Sequence, residues 1–474
     1  MTATGDDIPP LPETARVVNV GLSSFADAVA RQGFEVVNVD WRIPADGDPL
    51  LVAALARLYG PKSERIDAAN AEVLRRLDSG APKALGVRPA TEVVPGFEGM
   101  TLLHCGPPIE YGAAIDPLRR SLRAAVVAEG WADDVRAADR LLAGGQVALE
   151  PAIQHDACVP MVTALGPSQP VWVVDNAAGG NRAFAPLNQG PGETAWFGHD
   201  SDAAVERLKF LAAVAGRLLD QVVRSHGPID VAGVAGQGVQ MGDDVHIRVQ
   251  ASTNLLLRDL LPHLAAIEDP GRTALAEFLA GNHLFFLNLA MAAARALTGW
   301  ASDVPESSIV TTMSRNGTEF GVALAGSPRR HVAPAPRVEQ ALYYAGFGPE
   351  DGAPDIGDSA VLELVGLGGA AAAGSPSVAA FVGGTMADAR ATTEELDLVC
   401  HGRSSRFRLP PLDARGTPLG VDARRVAELG ITPKITTGVL HASAGLGQIG
   451  AGVATAPLAC FVDAVLDLDR ALQP

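Results

Sequence analysis

The spacing of apolar positions predicts a compact β-α-β unit near the start of the chain. Residues 16–21 and 35–40 are short valine-rich runs typical of strands, and residues 25–32 between them have the apolar spacing of a helix. Ser23 is a candidate N-cap for that helix. The turn after the first strand lacks the GxGxxG spacing of a dinucleotide-binding fold, so the pattern does not favour a nicotinamide cofactor.

Strand and helix patterns then alternate to about residue 110. Residues 67–77 have helical periodicity, and strands are predicted at 83–87, which we expect to run parallel to its neighbours, and at 101–106. The pattern is helical over 118–142 and amphipathic over 203–225.

The second half begins helical and ends rich in glycine. Residues 231–239 resemble a small-residue strand, and residues 253–297 are mostly helical, divided by Pro262 and Pro270. The glycine run at 445–452 could hold a phosphate at the N-terminus of a helix, although it lacks the Gly-Lys-Ser/Thr of a P-loop.

These elements predict an α/β fold, α+β in parts, with an N-terminal Rossmann-like unit, glycine-rich core domains and a small helical subdomain. Aromatic residues make up only 5% of the 474 residues, which favours closely packed α/β layers. The length predicts several units. The predicted units are a flexible arm (1–14), a Rossmann-like α/β domain (15–110), an α/β domain with a helical lead-in (111–252), a helical subdomain (253–303) and a glycine-rich α/β domain completing the site (304–474).

Charge and cysteine content exclude several classes of protein. The net charge of -17 and the absence of a long basic run argue against a nucleic-acid binder. The four cysteines have no zinc-like spacing and are expected to be reduced thiols. No secretory signal and no run of about 20 apolar residues is visible, so we expect a cytoplasmic protein that does not enter the membrane.

The first candidate site is the segment Ser314-Arg315-Asn316-Gly317-Thr318-Glu319-Phe320-Gly321, which follows an apolar run. Arg315 could bind a carboxylate or phosphate, Asn316 offers a donor and an acceptor, and Gly317 allows close approach to the backbone. Glu319 could orient Arg315. The alternative is a solvated turn with a surface Arg–Glu pair.

A second candidate is the segment after the predicted strand at 171–174. Asn176, Gly180, Asn181 and Arg182 have the composition of an anion-binding nest. A plain glycine turn remains the alternative.

Two histidines are candidates for proton transfer near neutral pH. His155 lies in the loop Gln154-His155-Asp156-Ala157, and His246 follows Asp243 and Asp244. The Asp-Asp-x-His run is not a recognised metal spacing, so the sequence predicts neither a metal site nor a cofactor.

Across nearly the whole chain, the order of short motifs resembles the YlbE/AllG family. The segments that carry the resemblance are Asn19-Val20-Gly21-Leu22, Val39-Asp40-Trp41-Arg42, His104-Cys105-Gly106-Pro107-Pro108-Ile109, Gly180-Asn181-Arg182, Met241-Gly242-Asp243, Phe285-Phe286-Leu287-Asn288-Leu289, Arg315-Asn316-Gly317, Glu319-Phe320-Gly321, Gly348-Pro349-Glu350-Asp351, Gly357-Asp358-Ser359-Ala360 and Gly447-Gln448-Ile449-Gly450-Ala451-Gly452.

The resemblance implies a subunit of oxamate carbamoyltransferase, which interconverts oxalurate and phosphate with oxamate and carbamoyl phosphate in allantoin use. It also implies an oligomeric assembly with FdrA-like and YlbF-like partner subunits. A related carbamoyl or acyl transfer, a non-catalytic scaffold that binds an FdrA-like partner, and an acyl-CoA ligase-like enzyme remain alternatives.

Carbamoyl transfer needs positioned cations and amide donors, because charge builds on the carbonyl oxygen. In this scheme two arginines bind phosphate or carboxylate, three asparagines orient the carbamoyl group, one of two histidines moves a proton, and an aspartate and a glutamate contact the substrate or orient an arginine. The residues in these roles are Arg315 and Arg182; Asn316, Asn181 and Asn176; His155 and His246; and Asp243 and Glu319.

Overall fold

The computed structural model describes residues 16–39, 43–338, 340–381, 384–443 and 445–473. The predicted arm at residues 1–14 and the segment Asp40-Trp41-Arg42 lie outside the described residues.

The predicted N-terminal β-α-β unit is confirmed. Arg16–Val20 (β1) and Glu35–Val39 (β2) pair in parallel on either side of Ser23–Ala30 (α1). The expected cap is wrong, because Ser23 is the first helical residue and Leu22 occupies the N-cap without a side-chain hydrogen bond. Among the described residues of this unit, none belongs to a hydrophobic cluster of the rest of the chain.

The remaining strands form several small sheets, which makes the fold mixed α/β, as predicted. In chain order these strands are Pro82–Pro89 (β3), Thr101–His104 (β4), Ala148–Pro151 (β5), Pro170–Asn176 (β6), Asn181–Pro186 (β7), Ile229–Asp230 (β8), Val310–Asn316 (β9), Glu319–Leu324 (β10), His331–Pro334 (β11), Gln340–Tyr343 (β12), Ile356–Gly357 (β13), Cys400–Leu409 (β14), Arg415–Val421 (β15), Lys434–Leu440 (β16) and Gln448–Thr455 (β17).

The direction expected for the strand at 83–87 is wrong. β3 lies between β6 and β8 in the order β7-β6-β3-β8, and it runs antiparallel to both neighbours. Antiparallel pairing also joins β11-β10-β9-β13, β12-β17-β16 and β14-β15, whereas β4 and β5 pair in parallel. An apolar run identifies a buried strand but carries no information about its direction.

The helices predicted at 67–77 and 203–225 are confirmed, and 253–297 is largely helical. In chain order the helices after α1 are Pro49–Tyr59 (α2), Ser63–Ser79 (α3), Ala90–Val93 (α4), Asp116–Ala128 (α5), Val135–Ala143 (α6), Asp202–Phe210 (α7), Gly216–His226 (α8), Val231–Gln240 (α9), Gln250–Ala265 (α10), Arg272–Gly281 (α11), Phe285–Ala301 (α12), Val361–Leu364 (α13), Pro376–Phe381 (α14), Met386–Val399 (α15), Ala423–Leu429 (α16) and Leu458–Ala471 (α17).

Two glycine-rich segments differ from their predicted structures. Residues 231–239 form helix α9 and not a strand, and the Asp230 side chain caps this helix by accepting the N–H of Gly233. The run at 445–452 leads into strand β17 and not into a helix, so it has no helix N-terminus to hold a phosphate.

Two large hydrophobic clusters hold the chain together. The larger includes β6, β7, α8 and α12, and the second includes β9, β10, β16, β17 and α17. Within the described residues, no single helix has the length and apolar character needed to cross a bilayer. Helices α11 and α12 reach that threshold only as a pair bent by 82°, and most of α12 is buried.

Candidate functional site

Arg315 at the end of β9 is fully buried in an ion pair with Asp355. Its Nε donates to Asp355 Oδ2 (2.7 Å), its Nη2 to Oδ1 (3.0 Å) and its Nη1 to the Gly357 carbonyl (2.7 Å). The carboxylate that orients Arg315 is therefore Asp355 and not Glu319. With both side chains inaccessible, this geometry favours a structural role for Arg315 over a contact with substrate.

The neighbouring residues form a closed turn between β9 and β10. Asn316 Oδ1 accepts the N–H groups of Thr318 (2.9 Å) and Glu319 (2.6 Å), while its Nδ2 donates to the Pro107 carbonyl (3.0 Å). Gly317 has φ +83°, a conformation that favours glycine. The polar groups of this segment stabilise the turn and its packing on the chain near Pro107.

The polar side chains of the second predicted anion site are also engaged in local contacts within the chain. Asn176 Nδ2 donates to Asn181 Oδ1 (3.0 Å), and Asn181 Nδ2 donates to the Ala296 carbonyl in α12 (2.9 Å). Arg182 pairs with Asp175 and is 59% exposed, and Gly180 makes the turn at φ +64°. Among the described residues, no hydrogen bond links this hairpin to Arg315 or to His246.

His155 and Asp243 also have local partners. His155 Nδ1 donates to the Pro95 carbonyl (2.7 Å), and its Nε2 lies 2.6 Å from Glu150 Oε2. Asp243 accepts the N–H groups of Ala251 (3.1 Å) and Ser252 (2.7 Å) in the first turn of α10. The Asp243 carboxylate therefore stabilises the first turn of α10.

His246 alone among the predicted site residues lines a cavity near the junction of the two hydrophobic clusters, where it lies in the inner recess. An outer cavity of about 510 Å³ continues into a recess of about 60 Å³, and the two share several lining residues. Residues within 190–199 and 282–284 form much of the wall, together with strands β16 and β17. The polar and aromatic residues along it include Trp196, His199, His246, His283, Ser359, Thr437 and Gln448.

The imidazole of His246 is held by the buried carboxylate of Glu363 in α13. His246 Nδ1 lies 2.8 Å from Glu363 Oε1, which also accepts the N–H groups of Gly369 and Thr436 at 3.2 Å each. Because Oε1 acts as an acceptor, Nδ1 donates and Nε2 is the basic nitrogen of the neutral ring. Among the described residues, Nε2 has no hydrogen-bond partner, and neither does the buried Glu363 Oε2.

The backbone beside His246 is strained. Val245 is fully buried and has φ +62°, an outlying conformation for a β-branched residue, and Met161 in the recess has φ +42°. Such strain costs on the order of 1–3 kcal/mol per residue and is concentrated at functional sites. The Asp244 carboxylate compensates by accepting the N–H groups of His246 (3.0 Å) and Arg248 (2.8 Å), and its burial raises its pKa.

The outer cavity carries little positive charge. Burial lowers the pKa of His283 and of His199, although Glu193 and Asp200 partly oppose the shift at His199. None of the described lining residues is Lys or Arg. Within the described part of the chain, no group of three His, Cys, Asp or Glu residues is placed to hold a metal ion.

Comparison with known proteins identifies the family to which the chain belongs. The family model "Oxamate carbamoyltransferase subunit AllG" matches residues 147–359. An Escherichia coli (strain K12) protein of that name is 39% identical over 403 residues, which cover 84% of this chain and 96% of the relative. This chain belongs to the AllG family.

Two further proteins match most of the chain. Escherichia coli (strain K12) "Uncharacterized protein YahG" is 34% identical over 454 residues, covering 95% of this chain and 96% of that protein. A crystal structure of "a conserved protein of unknown function from Enterococcus faecalis V583" has a TM-score of 0.84 and 33% identity, covering 87% of this chain and 99% of that one. This chain therefore shares its fold with the protein of that crystal structure.

Sequence reasoning missed Glu363, although a signal for it exists. It is the one charged residue in the apolar run Val361-Leu362-Glu363-Leu364-Val365. A carboxylate in such a run is buried, and a buried carboxylate needs a partner. That partner, His246, lies 117 positions earlier and could not be identified from the sequence alone.

Proposed function

We propose that this AllG-family chain carries the proton-transfer part of a carbamoyl transfer site. The reaction interconverts oxalurate and phosphate with oxamate and carbamoyl phosphate, on this or a closely related small anionic substrate. The observation that carries the proposal is the His246–Glu363 pair at the wall of the cavity.

In the phosphorolytic direction, a phosphate oxygen attacks the terminal carbamoyl carbon of oxalurate and the bond from that carbon to the inner nitrogen breaks. The proton of hydrogen phosphate ends on the nitrogen of the departing oxamate. A base that accepts this proton and an acid that delivers it are both required, and a single imidazole can act as each in turn. His246 Nε2 fills this role.

Glu363 fixes the orientation of the ring and stabilises the imidazolium that forms when Nε2 takes the proton. The second oxygen of Glu363 is buried and has no partner among the described residues. Thr437 and Gln448 line the same recess. Thr437 Oγ1 donates to Asp355 Oδ1 (2.9 Å), so the Gln448 side chain would orient the planar carbamoyl group.

The cavity draws on three segments of the chain. His246 and Trp196 come from the proposed 111–252 domain, His283 and Leu284 from the proposed 253–303 subdomain, and Thr437 and Gln448 from the proposed 304–474 domain. This distribution supports the proposal that the glycine-rich C-terminal segment completes the site.

A scaffold function is the second candidate, and a specific observation favours it. The two arginines expected to bind the anion, Arg315 and Arg182, are paired with Asp355 and Asp175. A chain whose candidate anion ligands are engaged could instead position a partner that binds the phosphate.

The proposal is tested by comparing His246→Gln with His155→Gln. Both histidines contact a glutamate, but His155 does not line the cavity, so His155→Gln is a matched control. Turnover is measured as phosphate-dependent formation of oxamate from oxalurate, with the chain alone and with the proteins encoded beside its gene. We expect His246→Gln to lower turnover by about 10²- to 10⁴-fold.

The control should stay near the wild-type rate, and both variants should keep the thermal unfolding midpoint of the wild type. A His246→Gln protein that folds and turns over normally would rule out the catalytic proposal and leave the scaffold as the better account.

A further inference from the structure

The mouth of the cavity is lined by exposed apolar side chains. Leu342 and Tyr344, in and just after β12, are 49% and 52% exposed, and Leu446 in the loop before β17 is 53% exposed. All three line the outer cavity. We call them the apolar rim. Large apolar side chains grouped around a cavity opening are typical of a surface that another protein covers.

The cavity does not match the charge of the proposed substrates. Oxalurate and carbamoyl phosphate are anions, yet the described lining offers Glu193 and three histidines, two of which have a lowered pKa. Transition states that develop charge on oxygen need fixed cations or donors nearby. The described lining therefore lacks the cation that the proposed reaction needs.

One arginine near the apolar rim is already paired. The Arg120 guanidinium packs against Gly445, next to Leu446. Its Nε donates to Asp116 Oδ2 (2.8 Å) and its Nη1 donates to Asp200 Oδ1 (3.0 Å). With two carboxylates as partners, Arg120 supplies no net positive charge at the mouth.

We propose that a different protein subunit docks on the apolar rim and presents an Arg or Lys side chain at the cavity mouth. There the cation binds the phosphate or carboxylate group of the substrate while its carbamoyl group lies against His246. Arginine suits this role because its planar fork matches both groups. The inference rests on the proposed function and adds to it that the site is shared between two chains.

A second copy of this chain does not meet the requirement. Two copies that meet rim to rim would bring together the same surface, and none of the described residues lining its cavity is Lys or Arg. The chain has a net charge of -17, which attracts a partner with a basic docking face. The occupant is therefore a different chain that presents positive charge beside apolar side chains.

The test uses the complex formed when the tagged chain is co-expressed with the proteins encoded beside its gene. The rim variant is Leu446→Glu. The control is Leu398→Glu, since Leu398 in α15 is 55% exposed and does not line the cavity. Association is measured by co-purification and analytical ultracentrifugation, and turnover by oxamate formation from oxalurate and inorganic phosphate.

We expect Leu446→Glu to lose the partner and to lower turnover by about 100-fold, while the isolated chain keeps its unfolding midpoint. Leu398→Glu should keep both partner and turnover. In the wild-type complex, replacing the partner's basic residues one at a time with glutamine should raise the KM for phosphate or for oxalurate at one position.

Several results would overturn the inference: a wild-type chain that binds none of the co-expressed proteins, an isolated chain that turns over as fast as the complex, or a Leu446→Glu complex that keeps both association and turnover. These results are separable from failure of the proposed function. If His246→Gln abolishes turnover in a Leu446→Glu complex that is otherwise active, only the shared site is rejected. If neither substitution affects turnover, both proposals fail.

Discussion

Replacing Arg315 separates a structural role from a role in substrate binding, because the two make opposite predictions for folding and for rate. In Arg315→Met, the Asp355 carboxylate stays fully buried, and its one remaining described donor is Thr437 Oγ1 at 2.9 Å. The Gly357 carbonyl also loses its contact with Nη1. Breaking a buried ion pair by removing one partner costs about 3–5 kcal/mol. We expect a loss of that size in the free energy of unfolding.

The loss in the free energy of unfolding should be smaller when the unpaired Asp355 carboxylate is removed as well. The double variant Arg315→Met/Asp355→Leu leaves no buried charge, so we expect it to be more stable than Arg315→Met, since apolar replacements of buried pairs are often close to neutral. Arg182→Ala is the control for a surface pair, and we expect it to cost about 0–1 kcal/mol. Unfolding in urea, followed by tryptophan fluorescence and circular dichroism, measures the free energy of unfolding of the wild type and of these three variants.

The refuting result is specific. If Arg315→Met unfolds at the wild-type urea midpoint but its turnover falls by about 100-fold or more, the side chain acts on the substrate and the structural reasoning is wrong. If the double variant is no more stable than Arg315→Met, the stranded charge on Asp355 is not the cause of the loss.

Two further predictions concern carboxylates near the cavity. Burial raises the pKa of Asp358 to about 6. Between pH 4 and 6 the folded state therefore keeps a proton on Asp358 that the unfolded chain has released. The free energy of unfolding then falls by about 3 kcal/mol as the pH rises through this range. Asp358→Asn should remove that part of the slope in urea unfolding at pH 4, 5, 6 and 7, and an unchanged slope would contradict the assignment. Glu363→Gln should keep the fold but lower turnover by about 10²- to 10⁴-fold and alter the pH–rate profile, whereas an unchanged profile would remove Glu363 from the mechanism.

Helices could be predicted from the sequence where periodicity and charge agreed, as in α3 and in the long segment that contains α7 and α8. Strand direction could not, because β3 pairs with β6 some 90 positions later and nothing in either run specifies the direction. The segment 231–239 was ambiguous because glycine, alanine and valine fill both small-residue strands and closely packed helices. The capping side chain of Asp230 was the overlooked signal.

The candidate site was only partly accessible from the sequence. The sequence indicates Arg315 as a candidate ligand for a carboxylate or phosphate, but its role depends on Asp355, which lies 40 positions later. An arginine next to glycines gives the same sequence pattern whether its guanidinium binds a ligand or a carboxylate of the same chain. His246 was selected for its neighbours Asp243 and Asp244, which hold the backbone, whereas the carboxylate that orients the imidazole belongs to Glu363.

The location of the cavity explains why its residues are so scattered along the chain. Met161 and Trp196 belong to the larger hydrophobic cluster, whereas Val439 and Ile449, in the two strands that line the recess, belong to the second. Two cores on either side can hold Val245 in a strained conformation, because relaxing it would disturb packing that is worth more than the strain. The same arrangement leaves one side of the cavity open at the apolar rim. The cores thus fix the imidazole and its carboxylate in place, and in the proposed shared site the partner's cation enters from that open side.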